Sequence, residues 1–247
     1  AHGEVLLLDW GIAVATDEPV FGLPRAADTT RVAGTPCYMA PEMLTLRARQ
    51  GPATDVFLLG ATLLEVVTGH PPRRGATTRE ILDAVAEGPV QLPQDLEPAL
   101  AAILERALAQ DPAARHPSAE AFRLELQRYL DHRSSSALEA EALRSLEVLE
   151  QELARAGEGD FAHHVTIYDA FGATRFGLRQ ALRSWPENPT AAAHLRRALQ
   201  RMVEYEIDHG DPKAARTLLA EMVRPDDWLR DRVQALEAEQ QASQAQA

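Results

Sequence analysis

The sequence contains very little cysteine, lysine, asparagine or aromatic side chain. Cys37 is the single cysteine in 247 residues. An internal disulfide framework and a cysteine-based zinc site are therefore excluded, and a reducing, cytoplasmic setting is expected. Of the 25 basic residues all but one are arginine, so Lys213 is the only lysine, and Asn188 is the only asparagine. No other position in the sequence can therefore supply a lysine or an asparagine to a catalytic site.

Long apolar runs and an excess of basic charge are also absent. The longest apolar run, from Val56 to Val67, is interrupted by Glu65 and is shorter than the roughly 18 residues that span a bilayer. The chain carries 37 acidic residues and a net charge of -12. Nucleic-acid backbones are held by clustered basic side chains, and no basic stripe is evident in the sequence. We therefore expect neither a membrane segment nor a nucleic-acid partner.

The first half of the chain predicts one short strand, a long loop and then helices. The apolar run Val5 to Leu8 predicts a buried strand that ends at Asp9. Residues 11–32 have neither helical nor strand periodicity and predict a loop, and long ordered loops are usually functional. A strongly apolar helix of about 14 residues is expected from Thr54, and such a helix usually lies buried inside a domain. Amphipathic helices are expected over residues 78–87, 96–109 and 118–130.

The second half predicts helices only. Three serines at 134–136 predict a polar hinge, and Ser136 and Glu139 have the spacing of a helix-capping box. Another helix is expected to end near Gly157. Residues 165–185 and 189–223 each predict a helix pair, the second turning at Gly210, and stacked hairpins of this kind build a solenoid. The glutamine- and alanine-rich end, residues 240–247, is expected to fray.

Four short motifs occur in a characteristic order. They are Asp9-Trp10-Gly11, the run Gly34 to Glu42 that ends in Ala-Pro-Glu, the run Asp55 to Gly60, and Arg115 after Asp111-Pro112. In this order and spacing they resemble the second half of the catalytic domain of eukaryotic-like (Hanks-type) bacterial serine/threonine protein kinases. The resemblance implies a mainly α chain: the C-terminal lobe of a protein-kinase fold, which is α+β when complete, followed by helical hairpins.

The resemblance also implies roles for particular residues. Asp9 stands where the family binds magnesium and ATP, and Gly11 stands where the family has the glycine of that motif. Thr35 would line the site for the acceptor hydroxyl, and a threonine there favours serine/threonine over tyrosine specificity. Phosphoryl transfer depends on positioning and charge neutralisation, so a carboxylate at Asp9 suits that chemistry.

The remaining predicted site residues are regulatory or structural. Thr29 and Thr30 lie in the loop, where a phosphate would add about -1.5 to -2 charge and could order the segment. Glu42 and Arg115 would form a buried ion pair, and Asp55 would hydrogen-bond the backbone of the family's catalytic loop.

Several parts of a working kinase do not occur within these residues. No Gly-x-Gly-x-x-Gly loop occurs, and Lys213 and Asn188 lie in the helical second half. Two explanations remain open: a fragment of an active kinase, or a pseudokinase-like scaffold. We favour the fragment because Ala1 is not methionine, and we expect the 247 residues alone to be inactive.

The domain boundaries follow from these motifs. We expect a partial kinase C-terminal lobe over residues 1–131, a linker and amphipathic helix over 132–160, and a tetratricopeptide-like region over 161–247. Protein substrates are the expected partners of the first region. A partner peptide or protein is expected for the third.

Overall fold

The computed structural model describes residues 8–16, 20–25, 28, 32–45, 50–155 and 161–246. Within this part of the chain the predicted mainly α class is confirmed, since the only β-pairing is an isolated bridge between Ala15 and Arg25. The α-helices are α1 Pro52–Thr68, α2 Thr78–Glu87, α3 Pro98–Ala107, α4 Ala119–Arg155, α5 Phe161–Ser184, α6 Pro189–Asp208, α7 Pro212–Ala220 and α8 Asp227–Gln246. None of the described helices is long and apolar enough to cross a membrane.

The chain divides into two compact units, Ala1–Tyr129 and Leu130–Ala247. The division falls inside α4. The predicted strand over residues 5–8 lies almost wholly outside the described residues. The described parts of the predicted loop contain turns and the isolated bridge but no helix of more than one turn.

Helix α1 is the centre of the first unit. Pro52 begins it, and Gly69 ends it with a left-handed backbone (φ 74°) that a side chain would strain. Phe57 is fully buried, and a Cβ at Gly60 would lie 2.9 Å from Ala107 Cβ, so α1 and α3 pack very closely. The expectation that α1 lies buried inside a domain is confirmed for one face, which carries Val56 and Phe57, and is wrong for the other. The described residues around α1 do not cover all of its apolar side chains, and three of these side chains remain exposed: Leu59, Val66 and Val67.

The predicted hinge at residues 134–136 is also wrong, because α4 runs through it without a break. The reason is that Ser135 has a partner outside its own helix. Its buried hydroxyl donates to the carbonyl of Ala181 at 2.8 Å instead of competing for the backbone of α4. Residues 132–155 of the predicted linker are therefore helical, and residues 156–160 lie outside the described part.

The second unit contains α5 to α8, with α5 and α7 packed on α6 and α8 packed on both α6 and α7. Residues 165–184 of the segment predicted as a helix pair belong to the single helix α5. The predicted turn at Gly210 is present, with φ 74°. Residues 240–246 do not fray but continue α8, where Gln240 donates to the carbonyl of Gly210 at 2.7 Å.

A buried polar network forms around the only asparagine. Asn188 is 1% exposed and caps α6, accepting from the amides of Thr190 and Ala191 at 3.1 and 3.0 Å. Its side-chain amide donates to Ser135 Oγ at 2.9 Å and to Glu139 Oε2 at 3.0 Å. Asn188 therefore caps α6 and satisfies two buried polar groups on α4. Composition identifies Asn188 as the only asparagine but does not predict this role.

Replacing Asn188 by alanine should destabilise the second unit by about 2–4 kcal/mol. The change removes a helix cap and leaves buried polar groups unpaired. Hydrogen exchange of α6 amides, measured with urea unfolding, gives the size of the effect. Asp211→Ala is the matched control, because Asp211 also caps a helix, α7, but is exposed. That variant should lose only about 1 kcal/mol. Equal losses in the two variants would contradict the role of the network.

Candidate active site

A cavity of about 630 Å³ opens where the segment after Leu8 meets the start of α1. Asp9 and Gly11 line it from the segment, and Thr54 and Asp55 line it from the first turn of α1. Two of the predicted functional carboxylates therefore share one cavity, although they are 46 positions apart in the sequence.

Asp9 has an unusual backbone for a residue with a side chain. Its φ is 64°, in the left-handed region that aspartate tolerates better than most residues. The Gly11 amide donates to Asp9 Oδ1 at 3.1 Å, and a Cβ at Gly11 would lie 3.0 Å from the same oxygen. Residue 11 thus leaves room for this carboxylate, and Asp9 remains exposed on the cavity wall. Uncommon backbone geometry of this kind is concentrated at functional sites.

Asp55 lies at the N-terminal end of α1 on the same cavity. Within the described residues its carboxylate accepts no hydrogen bond, and desolvation by the surrounding atoms raises its pKa above the ordinary value. The Asp55 carboxylate is therefore available to a group that the described residues do not supply.

Glu42 and Arg115 form a buried ion pair, and Thr54, which lines the cavity, donates a hydrogen bond to Glu42. Arg115 donates through Nη1 and Nη2 to the two oxygens of Glu42 at 2.7 and 2.9 Å. The Arg115 side chain is 0% exposed, and the Glu42 side chain is 9% exposed. Burial alone would raise the pKa of Glu42, but hydrogen bonds from Arg115 and Thr54 outweigh it and leave that pKa lowered. The pair is therefore held in its charged form.

The hydrogen bonds of Arg115 extend beyond the pair. It also donates to the carbonyls of Ala109 at 2.8 Å, Ala53 at 2.9 Å and Gln110 at 3.3 Å. Its guanidinium lies 4.8 Å from the centre of the Phe57 ring. One side chain thus joins the end of α3, the start of α1 and the segment that carries Glu42.

Arg73 is a buried residue that the sequence reasoning missed. It is 6% exposed, donates to the carbonyls of Met39 and Gly88 at 3.3 and 3.2 Å, and lies 5.7 Å from the Phe57 ring centre. Burial lowers its pKa. The sequence offers no signal that separates Arg73 from its exposed neighbour Arg74, because only the fold decides which of the two points inwards.

The structure does not place every predicted residue on the cavity. Thr35 is exposed and is not among the described residues that form the cavity wall. The neighbouring Gly34 has φ 130°, and a Cβ there would lie 3.3 Å from the methyl carbons of Met39 and Met43. Glycine is therefore needed just before Thr35. Thr29 and Thr30 lie outside the described residues.

The donor set suits a magnesium ion that arrives with phosphate groups. Magnesium is commonly bound through one or two carboxylates, with water and substrate phosphates completing its shell. Asp9 provides an exposed carboxylate on the cavity wall. In the part of the chain that the structure describes, no group of three or more His, Cys, Asp or Glu residues could hold a metal alone. The arrangement fits a metal–phosphate ligand better than a resident metal.

Comparison with known proteins shows the family of the chain. Residues 1–126, about half of the chain, match the protein kinase domain family. The chain therefore belongs to the protein kinase domain family. It is 39% identical over 115 residues to the serine/threonine-protein kinase PkaA of Streptomyces coelicolor, covering 47% of this chain and 20% of that protein.

Two other relatives match a similar share of this chain. The serine/threonine-protein kinase PknK of Mycobacterium bovis is 39% identical over 134 residues, which cover 47% of this chain and 11% of PknK. The tyrosine-protein kinase MasK of Myxococcus xanthus is 36% identical over 140 residues, which cover 55% of this chain and 21% of MasK. The matched part is thus between about a tenth and a fifth of each relative's length.

Replacing Arg115 by alanine should destabilise the first unit by about 3–5 kcal/mol, because the Glu42 carboxylate would stay buried without a counter-charge. Hydrogen exchange of α1 and α3 amides, followed with urea unfolding, measures the loss within this unit. Arg123→Ala is the control: Arg123 also pairs with a glutamate, Glu120, but on the exposed surface. That variant should unfold almost like the wild type. An Arg115→Ala protein that does the same would show that the buried pair is not needed.

Proposed function

We propose that the protein containing these residues is a serine/threonine protein kinase that transfers the γ-phosphate of ATP to serine or threonine side chains of other proteins. The single observation that carries this proposal is the placement of Asp9. Asp9 has a left-handed backbone and lines the cavity. The chain that carries it belongs to the protein kinase domain family. The relatives named as kinases support the class of reaction.

Each described site residue has a proposed task. Asp9 holds magnesium against the nucleotide, and the bound ion would neutralise charge on the phosphates during transfer. Gly11 leaves space for the Asp9 carboxylate. Asp55, whose carboxylate accepts no bond from the described residues, orients backbone of the catalytic loop. Glu42 and Arg115 hold the segment before α1 in place and take no part in the chemistry.

Serine/threonine specificity is proposed from Thr35. The family places a threonine there when it accepts aliphatic hydroxyl groups, and the exposed side chain is open to a substrate. One relative is named a tyrosine kinase, so acid hydrolysis of a labelled product followed by separation of the phosphoamino acids is the direct check.

The 247 residues alone are proposed to be inactive. Residues 1–129, the unit that contains the cavity, include no lysine and no asparagine, so the family's nucleotide lysine and magnesium asparagine have no counterpart there. Lys213, the only lysine, lies on α7, and Asn188, the only asparagine, is enclosed in the network at the start of α6. Phosphate transfer therefore requires residues outside this sequence.

The helical second unit is proposed to be a tetratricopeptide-like protein-interaction region. Successive helices α5, α6 and α7 pack against one another, and a small residue on α5 also allows close contact with α4. A Cβ at Gly177, for example, would lie 2.8 Å from Ala142 Cβ. We also propose a cytoplasmic location, since a reaction that uses ATP and a chain with one cysteine suit that compartment.

Replacing Asp9 by asparagine in the whole protein should lower phosphate transfer by about 100-fold or more, because a lost metal contact removes several kcal/mol of stabilisation from the transition state. Transfer of labelled γ-phosphate to a protein substrate is the measurement. Asp28→Asn is the matched control, since Asp28 is an exposed carboxylate that pairs with Arg25 away from the cavity wall. It should keep nearly full activity.

Two results would count against these proposals. A whole protein that transfers no phosphate would favour the pseudokinase-like scaffold. Transfer by purified residues 1–247 alone would show that the missing lysine and asparagine are dispensable.

Phosphorylation of Thr29 or Thr30 is proposed to regulate the enzyme, because a phosphate in this loop could pair with an arginine and order it. Mass spectrometry of the whole protein after incubation with ATP should find phosphate on one of the two. A Thr29→Ala/Thr30→Ala variant should lose that phosphate and part of the activity. An unmodified loop in the active wild type would refute the proposal.

A further inference from the structure

A shallow groove of about 600 Å³ lies along α5 in the second unit. Its wall is formed by Gly172, Arg175, Phe176, Arg179 and Arg183. Residues 170–186 contain no aspartate or glutamate, although the chain has 37 acidic residues. The arginines are too widely spaced in the sequence to read as a basic cluster, but their four-residue intervals bring them to one face of the helix.

The arginines of the groove already hold one carboxylate. Arg175 and Arg179 donate to the two oxygens of Glu221, at 3.1 and 2.9 Å for the closest contact of each. Their side chains remain 36% and 48% exposed. Arg183 is exposed and has no carboxylate within ion-pair distance in the described part of the chain. The guanidinium groups of the groove therefore have N–H donors that Glu221 does not use.

Gly172 adds an independent reason to expect a ligand. Glycine inside a helix is unfavourable, and a Cβ at Gly172 would meet no atom within 4 Å. Packing therefore does not require this glycine, in contrast to Gly177. Gly172 leaves a bare patch of helix beside Phe176, which is 64% exposed. Such a patch lets another backbone approach closely.

We propose that this groove binds an extended, acidic protein segment with carboxylates at alternate positions. Arginines four residues apart on a helix are separated by about 6 Å along its axis. Alternate residues of an extended chain are separated by about 6.6 Å and point to the same side. Three such carboxylates therefore match Arg175, Arg179 and Arg183, and the guanidinium fork binds a carboxylate through paired hydrogen bonds.

The segment's backbone lies over Gly172, beside Phe176. This inference deepens the proposed interaction role of the helical unit and rests on it. The groove lies on described residues of that unit alone, so binding requires neither ATP nor phosphate transfer.

The test is fluorescence anisotropy with the 247-residue chain and a labelled seven-residue peptide, with glutamate at positions 2, 4 and 6 and threonine elsewhere. The wild type should bind this peptide about fivefold more tightly than a peptide of equal charge with three consecutive glutamates. Arg179→Gln/Arg183→Gln should weaken binding about tenfold, the loss expected for charge-assisted hydrogen bonds. Gly172→Leu should also weaken it while leaving the helical circular dichroism unchanged.

The matched control is Arg196→Gln, which removes an exposed positive charge from α6 outside the groove. It should bind like the wild type. Equal binding of the two peptides, or an equal loss in the Arg196→Gln protein, would overturn the proposal in favour of unspecific charge attraction. A groove that ignores both peptides but binds a phosphoserine peptide would overturn it as well. Failure here leaves the kinase proposal standing, because no step of this measurement depends on phosphate transfer.

Discussion

The buried contact between Arg115 and Glu42 is the constraint on which the first unit depends. The two residues are 73 positions apart, and the Arg115 guanidinium has no solvent to replace a lost partner. Its further bonds to the carbonyls of Ala53 and Ala109 fix the start of α1 and the end of α3 at the same point. A charge buried in this way specifies one arrangement of three segments, because any other arrangement leaves it uncompensated.

The same constraint reaches the cavity through Thr54. The Thr54 hydroxyl donates to Glu42 at 2.9 Å and accepts from the Gly51 amide at 3.2 Å, so the first turn of α1 is tied to the ion pair. Asp55 follows directly and lines the cavity with Asp9. The proposed magnesium-binding carboxylate thus faces a wall whose position is set by a structural ion pair. Positioning of this kind is what phosphoryl transfer asks of a protein.

Helix ends marked by proline or glycine could be predicted from sequence, as α2 and the turn at Gly210 show, because these residues act through local backbone geometry. The continuous helix at Ser135 could not, since its partners lie 46 and 53 positions away. Motif order singles out Asp9 and Asp55 as candidates, but their common cavity and the inward side chain of Arg73 depend on tertiary packing. The arginine groove was missed for a related reason: its charge is concentrated only after α5 forms.

A double-mutant cycle on Glu42 and Arg115 tests most directly whether this pair organises the kinase unit. Unfolding free energies of the wild type, Glu42→Gln, Arg115→Met and the double variant would be measured in urea, with hydrogen exchange in α1 reporting on the first unit. The double variant should be clearly more stable than the sum of the single losses implies, with a coupling above about 1.5 kcal/mol. Additive losses, with a coupling below about 0.5 kcal/mol, would contradict a structural role for the pair.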